Sequence, residues 1–333
     1  MSIIKLSVLD QSVIRKGETA KISFNQTLEL AKLSEDLGYT RFWVAEHHNT
    51  SGIAGTSPEI LISHIAANTS TIRIGSGGVL LPQYSPYKVA ENFKLLETLY
   101  PNRIDLGIGR SPGGSPATRL ALTDSLRKSM NEFPRQISDL QGYLDDSIPD
   151  SHPYHNVKAY PVSDGSPELW ILGVTHRGAR VAAEKGTAFT YGHFINPENG
   201  LRAMETYREN FQPSISLKTP KTNVCIFVIC APTQERAEEI AISQDIWLLS
   251  VEKGLDTHIL PVHEANNIKL TKKDKERIVE NRRRMIIGTP KKVREEIIRL
   301  RDYYKTEEFM IINNTYDFQE KLQTYRLLAE QFL

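Results

Sequence analysis

Glu46, His47 and His48 stand side by side in RFWVAEHHNTSGIAG (41–55), where an apolar run ends and a loop of small residues begins. A carboxylate beside imidazoles suits proton transfer, and two histidines with an acid also suit a metal ion. On a continuing strand His47 and His48 would point to opposite sides. One of them is therefore expected to face a site and the other to be structural, which counts against a two-histidine metal centre. In GSGGVLLP, Gly77 and Gly78 sit where a strand should carry side chains, marking either a sharp strand exit or the close approach of a backbone or flat ligand. GIGRSPGG pairs Gly109 with Arg110, a small residue with a cation. It lacks the Lys-Ser/Thr ending of a phosphate loop, and Pro112 breaks the spacing of a dinucleotide fingerprint. In WILGVTHRGARVAAEKG a strand ends at Gly173 and a helix starts within a few residues, offering unpaired N–H groups and a positive dipole end to an anion. Val174, Thr175 and Gly178 lie at that junction, with Thr175 as the candidate cap and Arg177 and Arg180 as added charge. His193, at the end of AFTYGHF, is either a further candidate or a buried, hydrogen-bonded core residue.

All of these residues follow a short apolar run, and that regularity sets the fold. IIKLSVLD, RFWVA, IRIGSGGVLL, RIDLGIG, ELWILG, AFTYGHF, NVCIFVICA and EFMIINN read as eight strands, each followed by a stretch of helical periodicity. Near-continuous apolar strands alternating with helices predict a parallel, doubly covered sheet. Eight repeats predict an α/β fold of the (β/α)8 TIM-barrel type rather than an open doubly wound sheet. The loops after the strands then gather at one end, which brings the candidates together. One barrel domain over 1–333 is expected, with a surface connection at about 147–167 and an insertion after strand seven. The alternating charges at 269–284 in that insertion read as a solvated helix.

Composition narrows the functions. The 333 residues are 40% hydrophobic and 24% charged, and 41 Lys plus Arg against 40 Asp plus Glu leave a formal net charge of +1, so no general attraction to nucleic acid or anionic membranes is expected. The start, MSIIKLSVLDQS, lacks the pattern of a secretory signal, and no run approaches the length of a membrane span, so a cytoplasmic location is expected. Cys225 and Cys230 lie on opposite faces of one strand and read as reduced core residues.

Taken in order, KLSVLDQS, LGYTRFWVAEHHN, IRIGSGGVLLPQYSPYKVAENF, RIDLGIGRSPGG, AAEKG, MIIGTPKKVREEI and TYDFQEKLQTYRLLAEQF resemble the bacterial luciferase-like flavin-dependent monooxygenases over nearly the whole chain. The similarity is to their single-subunit oxidoreductase branch. It implies a barrel that takes reduced FMN from a separate NAD(P)H:flavin reductase, reacts it with O2 through a flavin C4a-hydroperoxide, and oxygenates an aldehyde or other small organic molecule. It also implies a homodimer and no metal. By motif, the resemblance assigns proton handling beside the flavin to His47 and a place near the isoalloxazine to Glu46. It places Gly77 and Gly78, often joined by a cis peptide, under the ring, makes Gly109 and Arg110 strand-four cofactor contacts, and gives the phosphate to Val174, Thr175 and Gly178. Two positions depart from the family pattern: where relatives tend to carry consecutive serines in the phosphate segment, Val174 offers only its backbone and His176-Arg177 adds bulk and charge, and Gln83 stands where relatives often carry histidine. Three other readings stay open: a deazaflavin-dependent hydride-transfer enzyme, a non-catalytic flavin-binding protein, and a metal-dependent hydrolase built on Glu46, His48 and His193.

Overall fold

The computed structural model describes residues 4–111 and 113–333. Its strands are β1 (Lys5–Asp10), β2 (Arg41–Val44), β3 (Arg73–Ser76), β4 (Ile104–Gly109), β5 (Glu168–Gly173), β6 (Ala188–Gly192), β7 (Thr222–Cys230), β8 (Met285–Gly288) and β9 (Glu308–Ile312). Between and after them run α1 (Ala20–Asp36), α2 (Pro58–Ala66), α3 (Pro86–Leu99), α4 (Pro116–Leu122), α5 (Phe133–Leu144), α6 (His176–Glu184) and α7 (Gly200–Asn210). The second half adds α8 (Gln234–Lys253), α9 (Val262–Asn266), α10 (Lys272–Arg282), α11 (Pro290–Tyr304) and α12 (Phe318–Phe332). Threonines cap many of these helices: the side chains of Thr19, Thr175, Thr233, Thr271 and Thr289 each accept a first-turn backbone N–H.

The strands pair in the order β6-β5-β4-β3-β2-β1-β9-β7, all in parallel, and β6 pairs with β7 to close the ring. This is the expected eight-stranded barrel. β8 is a ninth strand that the apolar pattern does not announce, because MIIG is only four residues long and sits at the end of a charged stretch. It pairs with the last four residues of β7, Phe227 to Cys230, beyond the point where β6 ends. The insertion after β7 therefore comprises α9, α10 and β8. Thr271 and Asp274 start α10 with a reciprocal capping box. This helix is solvated on one side as expected, and on the other it is laced to α8 by Arg277–Glu252 (2.7 Å) and Arg282–Asp245 (2.6 Å).

Two cores result. The barrel interior holds Leu9, Trp43, Trp170, Cys225, Phe227, Met310 and Ile312, and the outer layer between strands and helices holds Cys230 among many aliphatic residues. The two free cysteines are buried on opposite faces of β7, as their spacing implies. At the N-terminal end of the barrel, Arg41 (2% exposed) donates to Glu308 and Asp105 at 2.7 Å each. It also stacks over Trp170 at 4.7 Å, while Arg73 and Trp43 Nε1 complete the shell of Asp105. Burial alone would disfavour the Arg41 charge, but the surrounding carboxylates outweigh it and raise its pKa.

Removing one partner of such a cluster strands buried charge. Arg41→Met is expected to lower unfolding stability by about 3–5 kcal/mol, read as a reduced urea midpoint. Arg135→Ala, which breaks exposed pairs with Glu132 and Asp139, should change it by less than about 1 kcal/mol.

Candidate functional site

The C-terminal ends of the strands surround a cavity of about 1070 Å3. Small-molecule sites span about 300–1,000 Å3, so this one stands at the upper end of that range. Its lining includes the nine residues to which the resemblance gives a role: Glu46, His47, Gly77, Gly78, Gly109, Arg110, Val174, Thr175 and Gly178.

β2 ends at Val44, two residues before the acidic-histidine run, and the chain is no longer extended when it reaches the histidines. Both His47 and His48 consequently line the cavity, which corrects the expectation that only one would. Their roles still differ. His48 Nε2 lies 2.7 Å from Glu46 Oε1, which also accepts from the Tyr84 hydroxyl at 2.5 Å, while Glu46 Oε2 accepts from the Leu80 backbone N–H at 2.9 Å. Glu46 is thus held from both sides. His47 donates its backbone N–H to Gly55 O, but its buried side-chain Nδ1 has no hydrogen-bond partner among the described residues. Burial, with His48 adding a smaller repulsion, lowers the His47 pKa to about 4, so the ring is neutral at pH 7.

The Gly77–Gly78 peptide is cis, as the resemblance implies. A Cβ on Gly77 would come within 2.5 Å of Leu9 Cδ1, and one on Gly78 within 2.7 Å of Gly107 O. Packing therefore requires glycine at 78, where the near atoms are backbone, while a side chain at 77 would have to displace the end of Leu9. Gly109 and Gly178 differ: a Cβ there would meet no protein atom closer than 4.0 Å and 3.7 Å. Nothing in the packing demands glycine at either place, yet both border the cavity, which is what space kept for a ligand looks like. Gly178 belongs to the first turn of α6, where Thr175 Oγ1 accepts the Gly178 N–H at 3.2 Å. The N–H groups of His176 and Arg177 precede any intrahelical partner, and Arg177, Arg180 and Arg202 together depress the His176 pKa after the effect of burial. The site has a flat, side-chain-free wall at one end of its cavity and a cationic helix start at another, so its residues fit a planar ring carrying a phosphate.

His193 lies outside this arrangement. Its Nδ1 is 2.7 Å from the Tyr304 hydroxyl on α11, and burial lowers its pKa to about 4. With His48 engaged by Glu46, the metal-site alternative loses its geometry. Among the described residues no group of three His, Cys, Asp or Glu is placed to hold a metal ion. The motifs also missed parts of the lining. Gln11, Thr190, Cys225 and Met310 form part of it, and the strand alternation that buries them inside the barrel was the available signal. The Glu46 partners Leu80 and Tyr84 carried no such signal, because a three-residue helical turn at Leu81–Gln83 brings them there.

A family model described as luciferase-like monooxygenase matches residues 4–306. A Bacillus subtilis protein, the uncharacterized protein YceB, is 53% identical over 99% of this chain and 100% of its own length. The N-acetyl-S-alkylcysteine monooxygenase of the same bacterium is 35% identical over 99% of both chains. Among solved structures, apo-MsnO8 superposes with a TM-score of 0.89 at 37% identity, covering 99% of this chain and 98% of its own.

The depressed His47 and His193 pKa values carry a sign. The unfolded chain binds protons at these rings from about pH 6.5 downwards while the fold resists until about pH 4, so their effect is absent above pH 6.5 and destabilises progressively as pH falls towards 4. His47→Gln is expected to lose less stability than the parent between pH 7 and pH 5, measured as urea midpoints at the two values.

Proposed function

Because the chain belongs to the luciferase-like monooxygenase family, we propose that it binds reduced FMN in the large cavity and uses it with O2 to oxygenate a small organic substrate such as an aldehyde. The observation that carries this reading is the pair Gly109 and Gly178, both free of packing demands and both bordering a cavity that ends on a helix start. Reduced FMN supplies the electrons that activate O2. The protein's part is placement and proton control. Gly77 and Gly78 form the wall for the ring, Gly109 leaves room along its edge, and Arg110 adds a cation at the rim. The first turn of α6, with Val174 and Thr175 leading into it, binds the phosphate through backbone N–H groups, and Arg177 and Arg180 compensate for a missing hydroxyl at Val174. His47, neutral at rest, keeps an unpartnered Nδ1 free to hydrogen-bond to the ligand and to take up a proton as imidazolium during turnover, and Glu46 orients its neighbour His48. Leu80, Phe133, Leu172, Phe194 and Leu255 exclude water and favour an apolar substrate portion.

We also propose a separate NAD(P)H:flavin reductase as the source of reduced FMN, and a cytoplasmic location. No helix among the described residues is long and apolar enough to cross a membrane. A homodimer is proposed on the apolar face that Ile60 on α2 and Leu95 and Leu99 on α3 leave 74%, 49% and 55% exposed. Leu95→Glu should shift the protein to monomer in analytical ultracentrifugation, and an unchanged sedimentation coefficient would move the interface elsewhere.

The function is tested on three variants. Gly109→Leu and Gly178→Leu are expected to fold and to weaken FMN binding at least about tenfold, since each places a side chain in the space kept for the cofactor. His47→Ala should keep FMN affinity and lose about 100-fold or more in O2-dependent product formation from aldehydes or thioethers. Thioethers enter the screen because one relative is named for N-acetyl-S-alkylcysteine. Absence of FMN binding in either redox state, or preferential binding of a deazaflavin, would overturn the proposal.

A further inference from the structure

A second cavity, of about 420 Å3, lies on the other side of the Glu46 wall, lined by Glu59 and Thr56 near α2, by Gln83 and Tyr84, by Lys88 and Asn92 on α3, and by Leu126 and Lys128 after α4. Glu46 and His48 face the large cavity, whereas Tyr84 faces this second one, and the Tyr84 hydroxyl is 2.5 Å from Glu46 Oε1 and 3.3 Å from His48 Nε2. The partition is one hydrogen bond thick. Gln83 supplies an independent observation: it is only 2% exposed, yet neither Oε1 nor Nε2 of its side chain has a hydrogen-bond partner among the described residues. Its backbone carbonyl, with that of Tyr84, accepts from Lys128 Nζ, so the segment itself is pinned. Both amide atoms are closed off from solvent as they stand, so a water that satisfies them has to enter from the adjoining second cavity, which Gln83 helps to line.

We infer that Tyr84 is the proton entrance of the site, linking water ordered by Gln83 in the second cavity to the Glu46–His48 pair in the first. The inference rests on the monooxygenase reading for its purpose. Oxygenation of a substrate S by O2 and the monoanion of reduced FMN consumes one proton (S + O2 + FMNH− + H+ gives SO + FMN + H2O). Once cofactor and substrate fill the apolar cavity, bulk water no longer reaches Glu46 from that side. The route through the wall stays open. Tyr84 gives its hydroxyl proton to Glu46 Oε1 as its oxygen takes one from water, which solvent reprotonates; Glu46 passes the proton to an unprotonated His48 Nε2, 2.7 Å away, and His48 gives up its other ring proton to the reaction in the large cavity. One O–H bond forms on Tyr84 for each that breaks, and Tyr84 never carries a net charge. That matters because burial and the nearby Glu46 hold the phenol pKa well above its usual value. The charged groups facing Tyr84 across the second cavity are Glu59 on α2, Lys88 on α3, and Asp124 and Lys128 after α4. Glu59 holds its proton more tightly than an ordinary carboxyl, mainly through burial and in part through Glu46, which suits a proton reservoir at the outer end.

The test has two parts. A high-resolution crystal structure of the full chain, with no cofactor needed, is expected to show ordered water on the Gln83 side-chain amide and within hydrogen-bond reach of Tyr84 Oη. A second cavity without ordered water overturns the inference. In the protein holding oxidised FMN, the solvent exchange of the His48 ring N–H, followed by NMR on 15N-histidine-labelled protein, should slow about tenfold or more in Tyr84→Phe. Gln83→Leu, which removes the amide and leaves the Tyr84–Glu46 bond intact, should slow it as well and keeps the test decisive if Tyr84→Phe does not fold. Exchange at the parent rate in either folded variant overturns the route. If FMN does not bind, the function proposed above falls, and the crystallographic result alone then upholds or removes the water-to-Tyr84 connection.

Discussion

Everything above the barrel floor depends on the ion cluster around Arg41. A parallel barrel must bring the starts of its strands together, and here those starts carry Arg41, Arg73, Asp105, Glu168 and Glu308. Desolvating so many charges is costly, and their geometry offsets the cost: Arg41 uses both sides of its guanidinium fork, and Asp105 accepts from two arginines and an indole. The cluster fixes strand register at one end and so sets the height at which each strand stops at the other. Those stopping points place Glu46, Gly77, Gly109 and Val174 around one cavity.

The two ends of the barrel answer different needs. At the base, charge is neutralised by close ion pairs, even where the Trp170 indole and the Asn223 amide have no partner, which suits a part that only has to stay assembled. At the mouth the chain withholds such satisfaction. His47 Nδ1 lacks a partner, Gly109 and Gly178 leave gaps, and the α6 start presents N–H groups to open space. Glu46 is the exception that makes the rest usable, since its carboxylate ties the β2 exit to the Leu80 backbone and to Tyr84. A site built this way is held rigid by one residue while its working atoms remain free for a ligand.

Legibility in the sequence followed the same division. The eight barrel strands were readable because each is a short apolar run with turn residues after it, and the strand-end rule then gathered the candidate residues without any knowledge of contacts. Position alone could not say which way a side chain turns once a strand has stopped. His193 stands at a strand end like His47 yet bonds to Tyr304, and His48 joins the cavity because extended alternation lapses after Val44. β8 escaped notice because four residues do not establish a period, and Tyr84 because its contact with Glu46 spans 38 positions and passes through a helical turn. Gln83 drew attention as a departure from a pattern, and its meaning, an unpartnered amide beside a second cavity, lies in packing that no local signal encodes.

The insertion after β7 repeats the chemistry of the base under opposite conditions. Arg277, Arg282 and Arg284 on and after α10 pair with Glu252 and Asp245 of α8, and Lys253 pairs with Asp274. These pairs are partly exposed, so each contributes little by itself and all are screened by salt, unlike the buried cluster around Arg41. Their position gives them weight: Val251, Gly254 and Leu255, at the end of the same α8, form part of the cavity rim. α8 thus adds screened surface pairs to its buried apolar face, whereas the strands that carry the floor are tied by a buried ion cluster. Under the proposed function, a cavity that takes up cofactor and substrate is served by a firmly tied base and by a rim whose polar ties are weaker.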